Sequence, residues 1–397
     1  MRVVHILADA SIRSGGATYA AYRIHELLLR QGIDSRIVVP YDAAYPGSVY
    51  APRRGWWLTL HFLSKVISKI LIGHWGGTGL VPSAFYKKVN DLRPDIVICH
   101  FLKYDVMSIV QLGKLSAPIF MFHHDLWPIR GITPYPLYHI KPSWRYPFIG
   151  FIDRFVKWNK YRVYRKLAGK IVPLAASNWV CEEIRRSGAY GKVAPRLAPL
   201  PLSAIYGEKV QAETRSVNRK FCLLNGANGG FCGGLKGGDR FLKAIRMIPR
   251  SERSEMRLMV FGEKCDLKSE DVGIEIEVLG LRKPDDMPEI YRQADLFAFP
   301  SRQETFGQTK IEALACGTPV VAFDETACAE GIRHKENGWI AAADDVAGFA
   351  EGIRYFYKAW KRGDPIRVVG DKTYSAEFVA RKWMEAMKGS NDAITAV

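Results

Sequence analysis

The chain has 397 residues, 48% hydrophobic and 24% charged, which excludes disordered and multispanning membrane classes and leaves apolar material for two cores. Its formal charge of +17 sits in one half: residues 1–200 hold 28 Lys and Arg against 11 Asp and Glu, and residues 201–397 hold 29 against 29. A one-sided excess of this kind points to a large anionic partner for the first half, either nucleic acid or an anionic membrane surface.

In chain order, Met1 leads directly into the strand-like RVVHILA, with no signal-peptide pattern, then a glycine loop, a helix that stops near Gly32 and a second strand. Apolar runs at Asp95–Cys99, Pro118–Phe122 and Lys170–Ala175 continue the alternation, which predicts a parallel sheet with helices on both faces. A second alternation starts near Arg219, with FCLLNGAN, a helix from Asp239, MRLMVFG, GIEIEVLG, a helix at Asp286–Gln293, DLFAFPS, a helix at Gly307–Ala315 and TPVVAF. The polar segment 201–218 between them follows the proline-bearing APLP and reads as a linker. The expected division is 1–202 as a first, acceptor- and membrane-facing domain, 203–218 as linker and 219–370 as a donor-binding domain. Residues 371–397 form a last segment whose helix can cross back to the first domain. Closing helices are expected at 344–361 and 373–388, the latter with Phe378, Trp383, Met384 and Met387 on its apolar face.

Seven cysteines, odd in number and never spaced C-x-x-C, argue against a disulfide framework or zinc ribbon and for a reducing cytoplasm. The best apolar stretch, Trp56–Trp75, is broken by Lys65 and Lys69 and is too short to span a bilayer.

The most informative segment is PSRQETFGQTKIEALACGTPVVAF, Pro300–Phe323. A buried strand turns into a helix near Gly307, whose first amides and dipole suit a diphosphate. Glu304 lies before the helix and Glu312 about five residues inside it, roughly 7.5 Å along the axis, so one carboxylate can reach a sugar and the other a ribose diol. Together with Thr305, Phe306 and Gly307, this E-x7-E pattern resembles the nucleotide-sugar-dependent, retaining glycosyltransferases of family four. That resemblance implies the α/β GT-B fold: two Rossmann-like doubly wound parallel-sheet domains facing a central cleft.

Other segments fit the same resemblance. Gly15 and Gly16 match the family's first glycine loop, near donor phosphate and acceptor. CGGLKGGDRFLKAI matches the phosphate-binding K-G before a helix, which makes Lys236, followed by Gly237, the candidate for neutralising the leaving diphosphate. NGAN stands where the family usually has G-R, so a second cation is left unassigned. FMFHHDLWPIRG resembles the H-D-x-W segment of a bacterial polysaccharide-building subgroup. His124 would then contact the donor sugar, with His123 as the neighbouring alternative, and Asp125 and Trp127 would lie on the acceptor side. RGITPY replaces the subgroup's T-G-G-C-H, which leaves the acceptor contacts open. AASNWVCEEIRRSG resembles the P-S-x-W helix start, with Ser177 as its N-cap.

No D-x-D motif and no ligand-spaced His/Cys cluster occurs, so no metal or other cofactor is expected. Residues 140–170 interleave nine Lys and Arg with aromatics around a single acid, Asp153, and residues 53–75 offer an amphipathic stretch. Both read as a monotopic docking surface for anionic lipid, in preference to a nucleic-acid surface, for which no accompanying motif exists. The resulting expectation is a cytoplasmic enzyme, peripheral on the inner face of the cell membrane, moving a hexose from a UDP- or GDP-sugar to a lipid-linked saccharide. A catalytically silent nucleotide-sugar-binding scaffold is the alternative, and a nucleic-acid-binding module the more distant one.

Overall fold

A computed structural model describes residues 1–8, 16–40, 48–50, 62, 66, 83–100, 102, 106–134, 146–206, 219–227, 234–263, 267–366 and 374–388. Gly15, nearly all of the 53–75 stretch, Cys232, Cys265 and residues 207–218 lie outside these. The chain divides into two units, Met1–Pro201 with Ala380–Val397, and Leu202–Val379.

The first unit holds a seven-stranded parallel sheet of order β3-β2-β1-β4-β5-β6-β7. Its strands are β1 Arg2–Ile6, β2 Asp34–Val39, β3 Val49–Tyr50, β4 Ile96–Cys99, β5 Ile119–His123, β6 Ile171–Ala175 and β7 Arg196–Leu197. β4 and β5 are buried along their whole length, as strands covered on both faces must be, which is why they read as unbroken apolar runs. Helices α1 (Gly16–Arg30), α2 (Phe85–Asp91), α3 (Tyr146–Lys166) and α4 (Asn178–Ser187) accompany the sheet. Ser177 caps α4 by accepting from the Val180 amide, and Gly188 ends it in the left-handed conformation.

The second unit repeats the plan in a six-stranded parallel sheet of order β10-β9-β8-β11-β12-β13. Its strands are β8 Phe221–Ala227, β9 Met256–Gly262, β10 Glu275–Gly280, β11 Leu296–Phe299, β12 Val320–Phe323 and β13 Gly338–Ala341. Its main helices are α5 (Gly238–Met247), α6 (Met287–Gln293), α7 (Gln308–Ala315) and α8 (Val346–Arg362). Each sheet has its own apolar core. In both, the strand order reverses beside the first strand, between β1 and β4 and between β8 and β11, and the carboxyl ends there form the crevice where doubly wound folds place ligands.

Helix α9 (Ala376–Met387) begins in the second unit and ends in the first. Trp383 is fully buried, donates from Nε1 to the Pro199 carbonyl at 2.7 Å and stacks on Phe122, while Arg196 donates to the carbonyls of Ala386 and Lys388. Among the described residues, no helix is long and apolar enough to cross a membrane.

Candidate active site

In the second unit, the chain leaves β11 through Pro300 and reaches α7 by way of Glu304. Gly307 is the N-cap residue at φ +78, a conformation that favours glycine. Phe306 is buried edge-on against Tyr374, whereas Gln308 and Thr309 are half-buried. The loop is pinned from several sides: the Glu304 amide donates to Thr326 Oγ1, and the Arg302 amide donates to the Leu235 carbonyl. The Arg302 guanidinium forks onto Asp239 and reaches the Gly234 carbonyl.

That second set of bonds ties Glu304 to the glycine patch. Gly237 has φ +69, and a Cβ there would lie 1.9 Å from the Pro300 oxygen, so only glycine allows the patch to close on the loop. As a result Lys236 and Glu304, 68 residues apart, form an ion pair of 2.7 Å with the carboxylate the more buried partner. Thr305 is half-buried beside it.

Further along α7, Glu312 is 6% exposed and accepts from the Tyr291 hydroxyl at 3.2 Å. Burial and the neighbouring Glu312 carboxylate push the Tyr291 phenol well above its usual range, so it remains a donor. On the inner face of the helix, Lys310 is completely buried with Nζ donating to the carbonyls of Ala327 and Glu330. Burial lowers its ammonium to about 8, with Cys328, Glu330 and Glu304 acting in the opposite sense. Arg240, also buried, lies over the Phe323 ring and bonds Glu325 and the Pro300 carbonyl. Sequence reasoning missed Lys310, Arg240, Tyr291 and Thr326. The one available signal was a lysine on the apolar stripe of α7, since buried lysines need partners.

In the first unit, His124 follows β5 and is half-buried, with Nε2 in a 2.8 Å hydrogen bond to His100 Nδ1. His123 faces the other way. It is fully buried against the Tyr190 hydroxyl, and burial lowers its pKa to about 3, so the strand's alternation decides between the two histidines. Asp125 accepts from the Trp127 amide and so shapes the turn after the strand. Trp127 is 2% exposed, with the Lys160 ammonium 3.4 Å from its ring centre. Its place is in the core, which leaves its ring no surface to offer an acceptor.

Of the nine basic residues of 140–170 read as part of a docking surface, Lys160 is not available to one. It is fully buried and donates to three carbonyls, of Trp127, Arg130 and Gly131. With Asp153, which accepts from the Ile132 amide, it fixes the RGI turn where the subgroup motif was missing. The remaining exposed face of α3 carries Phe151, Arg154, Phe155, Lys157, Trp158 and Arg162. Gly16 opens α1 and is exposed. Among the described residues, no group of three or more His, Cys, Asp or Glu is arranged to hold a metal ion.

Residues 233–367 match the family described as Glycosyl transferases group 1. Among similar proteins are the D-inositol 3-phosphate glycosyltransferase of Rhodococcus erythropolis, 35% identical over 135 residues covering 30% of each chain, and its Corynebacterium jeikeium counterpart, 29% identical over 132 residues covering 30% of this chain and 32% of that one. The lipopolysaccharide core biosynthesis mannosyltransferase LpsB of Rhizobium meliloti is 38% identical over 86 residues, 21% of this chain and 24% of its own. The matched stretches thus span about a third or less of these relatives' length.

Likeness in three dimensions covers the whole chain. Anabaena HepE in complex with UDP-glucose has a TM-score of 0.62 at 14% identity, and the sucrose-phosphate synthase of Thermosynechococcus elongatus 0.65 at 15%, each covering 100% of both chains. At such identities the likeness speaks for the fold alone, and it extends over both doubly wound units. Residues 233–367 are thus similar to the group 1 glycosyl transferases, and the whole chain is built on the GT-B fold.

Proposed function

We propose that the protein is a nucleotide-sugar-dependent glycosyltransferase that moves a hexose from a UDP- or GDP-sugar to a lipid-linked saccharide in polysaccharide biosynthesis, with retention at the anomeric carbon and without a metal. The observation that carries this reading is the ion pair of Lys236 with Glu304 beside the start of α7, one helical turn from the buried Glu312. An arriving diphosphate competes with Glu304 for the Lys236 ammonium, which then offsets charge on the leaving group. Glu304 turns to the hydroxyls of the donor sugar, and Glu312, held by Tyr291, accepts from the ribose diol. Gly16 gives the first unit a side-chain-free helix start for approach to the donor, and His124 touches the sugar while Asp125 serves the acceptor side. The leaving phosphate takes the proton of the incoming hydroxyl on the same face.

The donor class is supported by HepE, whose crystals hold UDP-glucose, and the acceptor class by LpsB, whose name places it in lipopolysaccharide core biosynthesis. A membrane partner is supported by α3. Phe151, Phe155 and Trp158 are 66%, 48% and 57% exposed and alternate with Arg154, Lys157 and Arg162, so aromatic rings can enter the headgroup layer while cations meet anionic lipid. A panel of UDP- and GDP-sugars tested by thermal shift and by donor hydrolysis checks the reading, because a true donor raises the melting temperature through linkage. Stabilisation by none of them would refute it. Stabilisation without transfer to any lipid-linked acceptor would leave the silent scaffold in its place.

A further inference from the structure

The carboxyl end of the first sheet carries an arrangement of which the proposed chemistry uses only the outermost member, His124. His5 lies in β1, His100 directly follows β4 and His124 directly follows β5, three neighbouring strands. The His100 amide donates to the Ile6 carbonyl, which sets the histidine of β4 beside that of β1. The side chains then bond in sequence: His5 Nδ1 to His100 Nε2 at 2.8 Å, and His100 Nδ1 to His124 Nε2 at 2.8 Å. At the inner end, His5 Nε2 meets Ser35 Oγ of β2 at 3.0 Å, and His25 Nδ1 of α1 meets the same oxygen at 2.7 Å.

We propose that His25, Ser35, His5 and His100 form a hydrogen-bonded wire that fixes the tautomer of His124 and are therefore positioning residues for it. The reasoning is proton counting. A neutral imidazole carries one N–H and one lone pair, and every link needs one of each. If His124 donates from Nε2, His100 accepts at Nδ1 and must donate from Nε2, so His5 accepts at Nδ1 and donates from Nε2 to Ser35. If the direction reverses, all three carry their proton on Nδ1. No mixed state satisfies both imidazole links, so the three rings share one tautomer. Where Ser35 donates to one histidine and accepts from the other, the same order extends to His25; where its oxygen accepts from both, the order ends at His5.

Burial supports the neutral forms. His5 and His100 are held well below the usual histidine range by desolvation first, then by their histidine neighbours, and His25 is lowered by burial against an opposing effect of Glu26. Phe122, packed on both His100 and His124 and backed by Trp383, limits ring rotation at the outer end. In the reversed direction His124 presents N–H at its other nitrogen, and in the first direction a lone pair. Whether it donates to or accepts from a sugar hydroxyl is thereby set in the interior of the sheet. That last consequence rests on the assignment of His124 to the donor sugar, but the wire is testable with no substrate present.

The experiment is long-range proton–nitrogen NMR on full-length protein labelled in its histidine rings, with signals assigned through single-histidine variants. In the wild type, His5, His100 and His124 should show one tautomer, or equal averaged shifts if the two directions interconvert. In Ser35→Ala the Nε2 of His5 faces a methyl group, where an unmet lone pair costs less than an unmet N–H. All three rings should then carry the proton on Nδ1, and Ser35→Thr, which keeps the hydroxyl, should restore the wild-type pattern. Different tautomers among the three rings in the wild type, or an Nε2–H form of His124 in folded Ser35→Ala, would overturn the wire and leave the glycosyltransferase reading untouched.

Discussion

The two units share one topology and spend it on opposite electrostatics. At the crevice of the first, β1, β4 and β5 end in mutually bonded histidines, of which burial holds His5 and His100 neutral. At that of the second, β11 ends in a loop held by buried or part-buried cations, Arg240 and Arg302 paired with carboxylates and Lys310 bonded to backbone carbonyls. The strand order determines where a ligand can sit, and the few residues beyond each strand determine what it meets there. An uncharged end suits sugar hydroxyls, and a cation-braced end suits phosphates.

The contrast is broken most severely at Gly237. Gly237→Ala places a methyl against the Pro300 oxygen at positive φ, and the second unit should lose about 3–4 kcal/mol in urea unfolding. Gly16→Ala, with open space around the new methyl, should leave stability within about 0.5 kcal/mol.

Acid should separate the units nearly as strongly. His5, His100 and His123 have folded pKa values below their unfolded ones, so the unfolded chain binds more protons and stability falls as pH drops below about 6.5. Three such groups cost roughly 4 kcal/mol per pH unit together. Hydrogen exchange at pH 5 against pH 7, corrected for intrinsic rates, should show loss of protection in β1, β4 and β5 before β8, β11 and β12, and equal loss would count against the contrast.

Chemistry at the charged end is tested by Lys236→Ala and Glu312→Ala. Each should lower kcat/KM for the nucleotide sugar by about 100-fold, close to 3 kcal/mol. His124→Ala should act chiefly on kcat, and full activity in all three would remove the assignment. A smaller effect on function is expected at the exposed face of α3. Replacing Arg154 and Lys157 by Gln should weaken binding to phosphatidylglycerol vesicles by about 2 kcal/mol in total at low salt, read by co-sedimentation. Lys160→Met should instead unfold the first unit more easily, by about 3 kcal/mol, because three carbonyls lose their donor.

Long apolar runs made most strands legible, because strands buried on both faces admit little else. The two-residue β3 and β7 carry too few residues to show a period, and β13, as long as β4 or β12, holds a single β-branched residue in GWIA; all three went unread. In the second unit, Glu304, Gly307 and Glu312 were visible because helix start, glycine and carboxylates lie within one segment. The pairing of Glu304 with Lys236 was not, since it depends on a contact across 68 residues that Gly237 permits. The histidine wire was hidden for the same reason, with members scattered from residue 5 to residue 124. Its only trace was that RVVHILA, DIVICH and FMFHH each place histidine in or just after an apolar strand. Lys160 shows the reverse error, a cation counted as surface charge until its three carbonyls are seen.

Helix α9 has a consequence for how the protein comes into being. Trp383 fills the first unit behind Phe122, and Arg196 closes onto Ala386 and Lys388, yet these residues are translated only after the entire second unit. The nascent amino-terminal unit therefore leaves the ribosome with an open seam under Phe122, and it can anneal only when residues 380–388 arrive. Synthesis order and assembly order are thereby uncoupled, and the histidines at that seam acquire their final surroundings last.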